Sequence, residues 1–105
     1  MVEILLPKNT TVRTGLEKML VQLETRMAEL GHHNEESQKV FLDAGYKMLM
    51  IDQILRYGGV NTEETKKELQ ALTEIGCPPI NPTVFIAAEK FLADYCKTGV
   101  TSHET

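Results

Sequence analysis

The side chains in this 105-residue sequence best able to do chemistry are three histidines, two cysteines and a scatter of carboxylates. His32 and His33 stand next to Glu35 and Glu36, with His103 far along the chain. Imidazoles and carboxylates bind divalent metals when three or four of them converge, whereas neighbouring residues in a short connection point apart. No HxxxH, HExxH or CxxC spacing completes a set. Cys77 precedes Pro78, a pairing that can present a thiolate to haem iron, but no flanking cation is placed to lower its pKa. It reads as an ordinary free thiol. Cys96 falls on the apolar side of a predicted helix and reads as a small buried residue. Glu63, Glu64 and Glu68 lie on an acid-rich helix side and lack the Glu-x-x-His motifs that hold two metals inside a bundle. There is no glycine-rich phosphate loop, nucleophile elbow or serine near a histidine base. The expectation is a non-enzyme with no cofactor and no small-molecule ligand.

Charge narrows the partners. A net charge of -4 argues against broad attraction to phosphate backbones or anionic lipid, which needs clustered Lys and Arg. A helix-turn-helix in the last two helices would have to read DNA with Lys90 and Lys97 against Glu89 and Asp94. A DNA-associated regulator is therefore the second reading, and a metal or haem protein the third. No apolar run approaches the length of a membrane span. Met1 to Leu6 lacks the basic region and apolar length of a signal peptide, so the expected setting is cytoplasmic and reducing.

At 42% apolar and 25% charged residues the composition suits one globular domain. Met1 to Pro7 reads as an extended arm, because Pro7 and the residues after it break any continuous helix. The arm (residues 1–9) either straps the chain's own core or lies on a partner. The first helix starts between Thr10 and Thr14, where Thr14-Gly-Leu-Glu17 fits a capping box, and Gly31 ends it. Leu16, Met19, Leu20, Leu23, Met27 and Leu30 form its apolar stripe. Asn34 can cap the second helix, read over Ser37 to Tyr57 and stopped by Gly58-Gly59. Lys39, Asp43 and Lys47, and likewise Asp52 and Arg56, stand four apart as helix-supporting ion pairs. Asn61 opens a third helix with few apolar residues, Leu69, Leu72 and Ile75, hence a peripheral one, ending at Gly76. Cys77-Pro-Pro-Ile80 is a stiff linker. Asn81-Pro82 then starts a fourth helix that ends near Thr98-Gly99, leaving residues 100–105 as a flexible tail. The expected fold is all-α, a four-helix bundle-like single domain with a short extended N-terminal arm.

The second helix carries more apolar surface than one neighbour can cover. Phe41, Ala44, Met48, Ile51 and Leu55 make a core stripe. Leu42, Tyr46, Leu49, Met50, Ile54 and Tyr57 lie on other sides of the same cylinder. Gly45, which costs up to about 1 kcal/mol relative to alanine inside a helix, suggests the close approach of another helix. Methionine-rich faces suit partner recognition as well as core filling. Leu42, Tyr46, Leu49, Met50 and Tyr57 are accordingly the expected interface, with a second copy of the chain or another protein. The functional expectation is a small dimeric adaptor, or a stoichiometric regulator or inhibitor.

Overall fold

The computed structural model describes residues 3–30, 35–76 and 80–101, with side chains as far as Cys96. The fold is all-α, with a small two-stranded sheet. Strand β1 (Glu3–Leu5) leads into helix α1 (Thr10–Glu29), then helix α2 (Glu35–Tyr57), strand β2 (Gly59–Asn61), helix α3 (Thr62–Thr73) and helix α4 (Pro82–Thr101). Helix α2 is central, packing against α1, α4 and β2, while α3 joins the remainder chiefly through β2.

Three asparagines open helices. The Asn61 side chain accepts from the amides of Glu63 and Glu64, at 3.1 and 3.3 Å. The Asn81 side chain accepts from Val84 N at 3.2 Å, ahead of Pro82 at the first helical position. Helix α1 is capped by Asn9, whose side chain accepts from Thr11 N at 2.9 Å and Val12 N at 3.4 Å. Thr14 therefore lies within the helix, and its capping-box spacing goes unused. The asparagine wins because its carbonyl spans two orphan amides at once. Gly58, with φ of 82°, ends α2 in the left-handed region, and Gly76, with φ of 107°, follows the turn after α3. Helix α4 runs past Gly99 to Thr101, two residues into the stretch that the sequence suggested as a flexible tail. Gly31, Asn34 and the Cys77-Pro-Pro linker lie outside the described residues.

The N-terminal arm straps its own chain. Strand β1 pairs antiparallel with β2, setting Glu3 opposite Asn61, Ile4 opposite Val60 and Leu5 opposite Gly59. Leu6 N donates to Gly58 O at 3.0 Å, extending the pairing toward Pro7. Ile4 and Val60 are buried and Leu5 is exposed, the alternation expected of a strand with one face on a core. A strand over Gly59–Asn61 was not expected from the sequence. Val60 is its only apolar residue, too little for a period-two signal.

The orientation of α2 also departs from expectation. Its buried residues are Ala44, Tyr46, Met50, Ile51 and Ile54, drawn from both apolar sets. They cover roughly 160° of the helix circumference at 3.6 residues per turn, more than a one-sided stripe. The cause is that α1 and α4 flank α2 together. Tyr46 meets Phe85 of α4 edge-on, with ring centroids 5.4 Å apart. The Tyr46 hydroxyl accepts from Asn81 N at 3.1 Å. Leu16 of α1 and Phe85, Ala88, Leu92 and Cys96 of α4 complete the core. Gly15 permits a close approach between α1 and α4, since a Cβ there would run into the Tyr95 hydroxyl.

Replacing Tyr46 with phenylalanine keeps the ring against Phe85 and removes only the acceptor for Asn81 N. The expected loss is about 1 kcal/mol, the consequence of leaving a part-buried amide without a partner. Urea denaturation of both proteins measures it, and an unchanged midpoint would show that the hydroxyl does not hold α4.

Candidate functional site

Of the five residues expected to form an interface, Tyr46 and Met50 are in the protein's own core, at 5% and 0% exposure. They present no surface to a partner, because α4 covers the side of α2 from which they project. Leu42 and Leu49 are half-buried two turns apart, and Leu42 also packs against the core. Tyr57 is 75% exposed at the end of α2. The structure thus separates the set into core, ridge and tip.

Leu49 belongs instead to a groove. It and Met48, Gly45 and Asp52 of α2 face Leu20, Glu24 and Met27 of α1 across an open hollow of about 300 Å³. The walls are two packed helices, and the floor is low where α2 carries Gly45. Among the described residues, and apart from the backbone and neighbours of Gly45 within α2 itself, the only atom within 4 Å of a Cβ placed there is Met27 Cε, at 3.6 Å. No backbone of a neighbouring helix comes close, so the glycine is not required by the packing of α1 on α2. Met27, Met48 and Leu49 are half-buried, neither sealed in the core nor fully solvated. In the sequence Leu20 and Met27 stand in the apolar stripe of α1, Met27 also counts with Met19, Met48 and Met50 as adaptable surface, and Gly45 within a helical pattern was the signal that marked the place.

The polar groups around the groove are acids. Asp52 pairs with Arg56 at 3.4 Å, with both side chains well exposed, and Glu24 makes no ion pair among the described residues. On another side of α2, Asp43 closes on Lys47 at 2.9 Å, and Lys47 Nζ sits 4.3 Å from the ring centre of Phe91. That cation–π contact fixes Lys47 and explains why Asp43 turns to it.

Two other hollows are less suited to a partner. One of about 460 Å³ runs along the opposite flank of α1, where its described lining comes from α1 alone and includes both Arg26 and Glu29. The other, about 190 Å³, lies beside Tyr57 and is lined largely by Gln53, Asn61, Glu64, Thr65 and Glu68. The Thr65 hydroxyl is already engaged there, 3.0 Å from Gln53 Oε1 and 3.2 Å from Asn61 O. Among the described residues no three His, Cys, Asp or Glu side chains gather as a metal site. His32, His33, Cys77 and His103 lie outside those residues. Cys96 is buried as expected, and burial pushes its thiol above the ordinary value of 9.0.

No protein-family model, curated protein or solved structure matches the chain. Among the described residues no helix is long and apolar enough to cross a membrane.

Two outcomes follow from this geometry. Gly45→Ala is expected to raise stability by up to about 1 kcal/mol, since the added methyl meets only Met27 Cε at ordinary contact distance and the helix gains propensity. A lower melting temperature in the variant would show that the floor is tighter than this. The raised Cys96 thiol means that the unfolded chain ionises first, so this group's stabilising effect is complete well below pH 9.0 and is lost as pH rises beyond it. Urea denaturation from about pH 8 to about pH 10 should show a smaller alkaline loss in Cys96→Ala than in the wild type.

Proposed function

We propose that this chain is a small, four-helix, bundle-like protein–protein interaction module, an adaptor or stoichiometric regulator that works through the exposed side of α2. One observation carries the reading: Leu20, Met27, Met48 and Leu49 line an open groove whose floor is a glycine that helix packing does not require. Two helices with an apolar channel between them suit the insertion of a third, amphipathic helix. Two of the four apolar side chains are methionines, whose unbranched thioethers adapt to an incoming surface. The DNA-associated reading has no comparable support. Helix α4 turns Phe85, Ala88, Leu92 and Cys96 into the core, and its exposed Lys90 is accompanied by exposed Asp94.

The test compares two substitutions on one helix. Leu49→Ser changes the groove and is expected to cost less than about 1.5 kcal/mol of stability, whereas Met50→Ser opens the core and should cost about 2–5 kcal/mol. Affinity capture from host extract, with sedimentation velocity of the recovered complex, should show association with a partner in the wild type that Leu49→Ser reduces at least about tenfold. Association unchanged in a folded Leu49→Ser protein would remove the groove from consideration.

A further inference from the structure

The geometry points to a specific occupant for the α1–α2 groove: a basic amphipathic helix of another protein, with one apolar side chain seated over Gly45 and Lys or Arg on its flanks meeting Glu24 and Asp52. This rests on the interaction-module reading above and adds the chemistry and shape of the partner.

Shape comes first. Both walls of the groove are helix side chains, Leu20 and Met27 on one and Met48 and Leu49 on the other. Such walls offer no free backbone edge for an extended peptide to pair with, so the fitting mode is a helix lying in the channel. The apolar side chains on an amphipathic helix form a row, and that row needs a recess. Gly45 provides one, because among the described residues outside its own stretch of α2 the position where its side chain would stand has only Met27 Cε nearby, at 3.6 Å.

Charge selects among helices. Among the described residues the groove lining includes two carboxylates, one from each wall, and no cation. Asp52 is drawn toward Arg56, but that pair is 3.4 Å long with side chains 44% and 64% exposed. Exposed pairs of this kind contribute little and exchange readily for a better-placed partner. Glu24 is free of ion pairs among the described residues. The net charge of -4 adds long-range attraction for a positively charged partner.

The same charges disfavour a second copy of this chain. In a two-fold dimer the groove surface meets the same surface of the other copy, which would bring the Glu24 and Asp52 carboxylates of one copy toward those of the other. Like charges brought together across an interface oppose association.

The experiment uses the full chain, labelled with nitrogen-15, and two peptides with one amphipathic pattern of leucine and alanine. One peptide carries lysine at its polar positions and the other glutamate. The lysine peptide should shift the amide resonances of Met27, Gly45 and Leu49 and bind at least about tenfold more tightly, with the advantage shrinking as salt is raised. The double variant Glu24→Lys with Asp52→Lys should reverse the preference, and Gly45→Leu, which fills the recess, should abolish binding of both peptides. Equal binding of the two peptides in the groove would overturn the basic partner while leaving the groove as an interaction site. Resonance shifts elsewhere, or none with either peptide, would overturn both. A dimer in sedimentation that Gly45→Leu converts to monomer would identify a second copy as the occupant and overturn the proposal.

Discussion

The hydroxyl of Tyr46, buried in the middle of α2, accepts the backbone amide of Asn81 at the start of α4, 35 residues later in the chain. This bond and the edge-on packing of the Tyr46 ring on Phe85 set the rotation of α2 about its own axis. Once Tyr46 faces α4, helical geometry brings Met50 and Ile54 inward with it, each four residues further on. Gly45 and Leu49 are then carried away from α4 and toward the edge of α1, where the groove opens. The core and the candidate site are two consequences of one rotation. Asn81 takes part at both levels, since its amide is held by Tyr46 while its side chain caps Val84 and directs the first turn of α4.

The far end of α2 is held by a different device. Gly58, in the left-handed region, turns the chain back, and the three residues after it form the strand on which the N-terminal arm lies. A Cβ at Gly59 would stand 3.0 Å from Leu5 Cδ2 and 3.2 Å from Ile4 O, so the small residue lets the strap close. Asn61 ends that strand and caps α3 in the same step. Thr65, one turn into α3, reaches Gln53 of α2 through its hydroxyl. A helix with few apolar residues is thus held by a cap, a strand, the Thr65 hydroxyl and the packing of Leu69 against the core. Most of its surface stays in solvent, and Leu72 and Ile75 remain exposed near its end.

How much of this the sequence reveals depends on the range of the interaction. Local signals were legible: the caps Asn61 and Asn81-Pro82, the stops Gly58 and Gly76, the peripheral character of α3 and the buried Cys96 all depend on residues within a turn or two. Asn9 was obscured because several threonines followed it, each a plausible cap, and only the hydrogen bonds choose among them. Strand β2 was hidden for a different reason. Its existence depends on pairing with residues more than fifty positions earlier, and three residues carry no periodicity that could announce it. The rotation of α2 was the most consequential gap. Its apolar residues lie on several sides of the helix, so the pattern supports more than one inward face. The choice between them is made by Phe85 and Asn81, which no spacing within α2 can reveal. Tyr46 and Met50 therefore looked like surface when read from their own helix, while Leu49 was placed outside the core and remains there.

Gly45 links these levels. Inside a 23-residue helix, alanine would be the more stable choice by up to about 1 kcal/mol, and the space beside Met27 accommodates its methyl. Neither backbone conformation nor the packing of α1 on α2 demands the glycine. Folding stability alone therefore gives no reason for it, whereas a recess at the floor of an apolar groove does. A side chain in that recess would lie beside Met27, Met48 and Leu49, half-buried residues outside the core cluster. Glu24 and Asp52 stand on the two walls above it, so the contact would combine apolar burial at the centre with ionic selection at its rim, the division of roles found across protein interfaces.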